Sequence, residues 1–175
     1  SNCLFLFGPP PLSPHLVSIL FVEHLEIQFK VVRQIKAGGL VFPMKIYTIS
    51  FSAGTCLEKK EIRLIFLKKI KKGIGTGCIK HSHLLGKKIK KVAVCGGSGS
   101  FLIKEAKRAG ADIFITGDVK YHDFFEGENK MVIADIGHYE SEQFAKELIY
   151  SVLNEIFSNF AVLISETNTN SVKYL

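Results

Sequence analysis

The chain has no C-x-x-C pair, no tryptophan, very little arginine and no apolar run long enough to cross a bilayer. Its four cysteines, Cys3, Cys56, Cys78 and Cys95, lie far apart. That spacing argues against a disulfide framework and a cysteine zinc site, and points to a reducing compartment, expected to be cytoplasmic. Leu16 to Val22 is apolar but too short to span, no basic stretch precedes it, and Pro9-Pro10-Pro11 disfavours helix there. Neither a membrane partner nor a secretion signal is expected. Arginine is the residue best suited to bidentate phosphate and base reading, so its scarcity weighs against sequence-specific nucleic-acid recognition. The chain does not begin with methionine, which fits a processed or incomplete gene product.

What is present suffices for a packed core. There are 175 residues, 47% hydrophobic and 22% charged, with a formal net charge of +7. The charge is uneven: from Glu58 to Lys91 stand two acids and twelve Lys or Arg, so the remainder is slightly acidic. Such a stretch reads either as solvated lysines or as a nucleic-acid or membrane-surface patch, and it lacks the regular aromatic interleaving of a stacking platform.

The character changes at Gly73-Ile-Gly-Thr-Gly77, a glycine-rich joint. Residues 1–75 form a poorly patterned N-terminal part of unclear structure. Within it, Met44 to Phe51 fits a strand and Lys60 to Lys72 fits either strand or helix. Residues 76–175 read as an α/β domain. Strands are expected at Val92–Cys95, Asp112–Thr116, Val132–Ile136 and Ala161–Ile164. Helices are expected at Phe101–Ala109, around Tyr121–Phe125, and from Tyr139 to Phe157. In the last of these Phe144, Ala145, Leu148, Ile149, Val152, Leu153 and Ile156 share one face. Alternation of strands and helices implies a mainly parallel sheet with flanking helices.

In such a sheet the loops after successive strands gather at one edge. They contain Gly96-Gly-Ser-Gly-Ser100, then Thr116-Gly-Asp118 with His122, then His138 and Glu142. The glycine turn fits a phosphate cradle of backbone N–H groups or simply a tight turn, since no Walker lysine follows and Leu102 replaces a third fingerprint glycine. Asp118 and His122 are four apart, as are His138 and Glu142. Each pair fits a helix start with a first-turn side chain, and each also fits two ligands stacked on one helical turn. Histidine and carboxylate without thiolate suit zinc, iron or manganese. Ser98 and Ser100 are not in a nucleophile elbow. His81 and His83 read as surface residues.

Three segments in order carry a family resemblance: Val92-Ala-Val-Cys-Gly-Gly-Ser-Gly-Ser100, Ala111-Asp-Ile-Phe-Ile-Thr-Gly-Asp-Val-Lys-Tyr-His-Asp123 and Gly137-His-Tyr-Glu-Ser-Glu142. Over roughly residues 78–165 the chain resembles the C-terminal half of the NIF-three-like family, the type 2 GTP cyclohydrolase I homologues. The resemblance implies an α/β fold, a dinuclear metal centre and a homo-oligomer, a toroidal hexamer. It implies metal-dependent hydrolysis of a nucleotide or phosphate-containing small substrate. By it, His138 and Glu142 are metal ligands, and Thr116, Asp118 and His122 wall the same cleft. Within that site Asp118 or His122 is expected to position substrate or move a proton, and Gly97, Ser98 and Gly99 of the glycine turn, with Thr116, to contact the substrate. The family's paired His-His-Pro motif and its His-Thr-Asn-Leu-Asp-like motif are absent here; Ser13-Pro14-His15 and Glu23-His24 do not match them. The expectation is half of a metal site in a partial sequence. The alternatives are a non-catalytic assembly or binding module and a lysine-rich nucleic-acid binder.

Overall fold

The computed structural model describes residues 29–35, 44–49 and 59–175, with side chains from Arg63 onward. Cys3, Cys56, His15, His24 and the apolar run Leu16 to Val22 lie outside the described residues. Two strands, β1 (Phe29–Ile35) and β2 (Met44–Ile49), pair antiparallel, and the strand expected from Met44 is present. The segment that fitted strand or helix is a helix, α1 (Lys59–Ile74). Phe66, Leu67, Ile70 and Ile74 recur at helical spacing and are buried, while Lys68, Lys69, Lys71 and Lys72 stay exposed. Gly75, at φ +72°, ends the helix, with its N–H donated to the Lys71 carbonyl at 3.1 Å.

Next come a two-residue strand β3 (Lys80–His81) and a strand β4 (Lys91–Ser98). A 3₁₀ turn (Ser100–Leu102) leads into α2 (Ile103–Arg108), followed by β5 (Ile113–Gly117), a second 3₁₀ segment (Tyr121–Gly127) and β6 (Val132–Asp135). The six strands form one sheet in the order β1-β2-β4-β5-β6-β3. The three central strands β4, β5 and β6 are parallel, and the strands on either side of them pair antiparallel. Because β2 bonds to β4, the sheet continues across the glycine-rich joint.

Both faces of the central strands are covered, which explains their near-continuous apolar sequence. Val92, Val94, Ile113, Ile115, Val132 and Ala134 pack toward α1, and Ala93, Cys95, Phe114 and Ile133 pack with Leu102, Ile103 and Ala106. Arg63, fully buried on α1, donates Nε–H to the Lys87 carbonyl at 2.7 Å and Nη1–H to the Asp112 carbonyl at 3.2 Å. It thereby ties the helix to the starts of β4 and β5. Among the described residues no helix is long and apolar enough to cross a membrane.

Two expectations need correction. Ala161–Ile164 is not a strand, and Leu163 there is 90% exposed; the sheet edge beside β6 is already paired by β3. The single long helix is two, α3 (His138–Glu142) and α4 (Ala145–Ile156). The break comes where Gln143 Nε2 donates to the Ile74 carbonyl at 2.8 Å and Phe144 turns into the core. Of the face expected to be apolar, Phe144 alone is buried; the α4 members are half-buried or exposed.

Candidate functional site

The parallel strands β5 and β6 end side by side, and their following residues meet in space. After Asp135 the chain passes through Gly137, at φ +93°, and starts α3 at His138. After Gly117 it passes through Asp118, a non-glycine residue at φ +54°. A side chain on Gly117 would sit 3.0 Å from the backbone of Gly137 and His138, so the two segments touch main chain to main chain.

His138 lies between two carboxylates. Its Nδ1 is 2.5 Å from Asp118 Oδ2, and its Nε2 is 3.2 Å from Glu142 Oε2 one helical turn on. The hydrogen bond to Asp118 raises the imidazole pKa and the Glu142 charge adds to it, against a smaller opposing effect of burial. The loop after β4 closes the arrangement. Gly97, at φ +64°, approaches so closely that a Cβ there would lie 2.5 Å from Glu142 Oε1 and 3.5 Å from His138 Cε1. The Gly97 N–H donates to Ser141 Oγ at 2.8 Å, and that hydroxyl donates to the His138 carbonyl at 2.8 Å.

The donor set suits a metal in part. Tetrahedral zinc holds nitrogen and oxygen ligands roughly 3.3 Å apart, and His138 Nε2 and Glu142 Oε2 already stand at that separation. Asp118 on the far nitrogen fixes the ring as carboxylates do for metal-bound histidines. Asp118, His138 and Glu142 form a row with the imidazole in the middle. Among the described residues no group of three or more His, Cys, Asp or Glu converges on one point. The pair fits as two ligands of a larger set.

The remaining expected residues are distributed as follows. His122 is exposed on the 3₁₀ segment, its ring edge-to-face with Tyr121, while Asp118 turns to His138. Gly97, Gly99 and Thr116 are buried: a Cβ on Gly99 would overlap Thr116 Oγ1, and that hydroxyl donates to the Gly97 carbonyl at 3.0 Å. Ser98 is exposed at the strand end. His81 is exposed and bonded through Nδ1 to the Ser82 carbonyl.

Two carboxylates were missed in the sequence. Asp135, 2% exposed, accepts from the Val119 N–H at 3.1 Å, the Gly137 N–H at 3.0 Å and Lys80 Nζ at 2.7 Å. Glu140, 6% exposed, accepts from Asn170 Nδ2 at 3.1 Å. A carboxylate ending an otherwise apolar strand two residues before a glycine was the available signal for Asp135. Both line a cleft of about 430 Å³ with Asp118, His138 and Tyr174.

Comparison with known proteins places this geometry in context. The family model described as Duf34/NIF3 (NGG1p interacting factor 3) matches residues 17–171, reaching well ahead of the segment expected from residue 78. A Staphylococcus epidermidis protein named GTP cyclohydrolase 1 type 2 homolog is 34% identical over 113 residues, covering 62% of this chain and 31% of that protein. A Staphylococcus aureus protein of the same name is 39% identical over 93 residues, covering 50% and 25%. The chain therefore spans between a quarter and a third of the length of these curated relatives. The crystal structure of Staphylococcus aureus protein SA1388 superposes with a TM-score of 0.61 at 26% identity, covering 81% of this chain and 39% of that one. A Bacillus cereus protein related to NIF3 gives 0.60 at 24%, covering 75% and 35%, a likeness of fold.

Proposed function

The chain belongs to the Duf34/NIF3 family, and on that premise we propose that His138 and Glu142 supply part of a divalent-metal site in a hydrolase for nucleotide or phosphate-containing substrates. The observation that carries the reading is the 3.2 Å separation of Nε2 and Oε2, with Asp118 on the opposite nitrogen. Zinc, iron or manganese suits this donor set. When bound, such an ion supplies Lewis acidity and lowers the pKa of a water. Asp118 holds the proton on Nδ1 and so turns the Nε2 lone pair toward Glu142. Ser141 and Gly97 keep the helix start in place, and the imidazole of His122, exposed four residues after Asp118, is the group assigned to move a proton.

Two ligands fall short of the three or four an ion requires. The others would come from residues outside the described set, from further chain, or from a second copy in a homo-oligomer. Exposed Ile149, Ile156 and Phe157 on and just after α4 support the assembly reading. They equally support an assembly module without catalysis.

Metal titration by calorimetry, with elemental analysis of the purified protein, tests the proposal. Wild-type protein is expected to take up zinc or manganese, and His138→Ala and Glu142→Gln each to weaken uptake by about tenfold or more. Uptake unaffected by His138→Ala would remove the metal reading and leave the assembly module.

A further inference from the structure

A second groove of about 430 Å³ lies between the start of α2 and the 3₁₀ segment after β5, and shares Asp118 with the Glu140 cleft. We propose that this groove binds a nucleoside monophosphate, its phosphate between Lys104 and Lys120 and its ring against Phe101. The inference rests on the phosphate-substrate reading above and gives that substrate a place and a class.

Lys120 caps the 3₁₀ segment through its main chain. Both lysines are exposed, and among the described residues neither ammonium group is engaged in an ion pair, whereas Lys107, one turn along α2, is held by the Glu126 carbonyl at 3.0 Å and Glu128 Oε1 at 2.8 Å. Phe101 is half exposed although its neighbours Leu102 and Ile103 are buried, so its ring offers a free face. Ser98 lines the groove at the end of β4, and the Ser100 hydroxyl beside it has no hydrogen-bond partner among the described residues. The volume falls within the roughly 300–1,000 Å³ of small-molecule sites.

The carboxylates on the rim narrow the ligand. Asp118 is engaged by His138, and Asp123 accepts the Lys120 N–H at 3.2 Å. Glu126 also lines the groove. Two ammonium groups balance one phosphate dianion, while a triphosphate would bring further negative charge against three carboxylates. A ligand carrying N–H or O–H donors beside its phosphate satisfies both sides, as a nucleoside monophosphate does and inorganic phosphate does not. Asp118 lines this groove as well as the His138 cleft, so a ligand seated here lies next to the proposed metal ligands.

Calorimetry and backbone-amide NMR shifts with GMP and AMP, in metal-free protein containing a chelator, test the groove independently of the metal. Wild-type protein is expected to bind a monophosphate more tightly than the corresponding nucleoside, inorganic phosphate or triphosphate. Lys104→Met combined with Lys120→Met is expected to weaken binding by about tenfold or more, and Phe101→Ala by about fivefold. Lys88→Met serves as the charge control and should leave binding unchanged. All four positions are exposed, so the variants should fold as wild type, which far-UV circular dichroism checks. Absence of monophosphate binding by wild type, or equal binding by the double lysine variant, overturns the proposal. Zinc uptake by the double variant is expected to match wild type, so a failed groove and a failed metal site give different results.

Discussion

His138 engages both ring nitrogens, and the consequence depends on what occupies Nε2. In metal-free protein the flanking carboxylates favour the imidazolium, so the group binds its proton more tightly folded than unfolded. The stabilisation from this pairing is fully present below the unfolded pKa of about 6.5 and is lost as pH rises through the higher folded value. Asp118→Asn is expected to lower the His138 midpoint in a proton NMR titration, and its destabilising effect in urea should be larger in mildly acidic than in alkaline buffer. A midpoint unmoved by Asp118→Asn would mean that the 2.5 Å contact has no electrostatic weight. The cysteines divide along similar lines. Burial, then the charge of Glu142, pushes the Cys95 thiol up to about 12, while Cys78 is exposed. Iodoacetamide at a pH of about 8, read by peptide mass mapping, is expected to label Cys78 and spare Cys95 in folded protein. At this scale the four-residue spacing made the His138–Glu142 contact legible. The same spacing suggested Asp118 with His122, and the partner is instead His138, because a left-handed residue at a strand end redirects its side chain across the sheet edge.

Among the elements, the glycine-rich turn after β4 is a packing device around the site. Gly97→Ala combines a positive φ with a Cβ against Glu142, and is expected to cost about 1–2 kcal/mol in chemical denaturation and to weaken metal uptake together. Unchanged metal uptake would show that Glu142 has room to move. Arg63→Ala removes two charge-assisted hydrogen bonds to the carbonyls of Lys87 and Asp112. A loss of roughly 2–4 kcal/mol in chemical denaturation is expected, and a loss below about 1 kcal/mol would show that water replaces the clamp. The strands of the parallel centre were legible because they are buried on both faces. The α1 segment was ambiguous because its lysines interrupt the apolar residues at both spacings, and the burial of Arg63 runs against its residue type. The break before α4 was hidden because it comes from Gln143 reaching the distant Ile74 carbonyl.

Over the whole molecule, the lysines of the 63–91 stretch stay on the surface of the fold. Arg63 joins α1 to the loop carrying Lys87, Lys88 and Lys90, all exposed like Lys68, Lys69, Lys71 and Lys72. From Arg63 to Lys91 there is no acidic residue. If this face is only a solvated surface, binding to duplex DNA or single-stranded RNA should be weak even at low salt. A steep salt dependence, lost on replacing Lys68, Lys69, Lys71 and Lys72 by glutamine, would establish the nucleic-acid reading instead. The α/β architecture was legible in strand–helix alternation. The antiparallel edge beside β6 was not, because β3 is two residues long and carries no pattern of its own. The seam between Gly117 and Gly137 has a wider implication. The backbone positions of Asp118 and His138 are set beside the point where two main chains touch, and only the rotamers remain to bring the two side chains together. The seam works as a fixed gauge: side chains at positions 118 and 138 can be exchanged and their reactivity retuned, while the separation of the backbone that carries them is inherited from the close approach of two glycines.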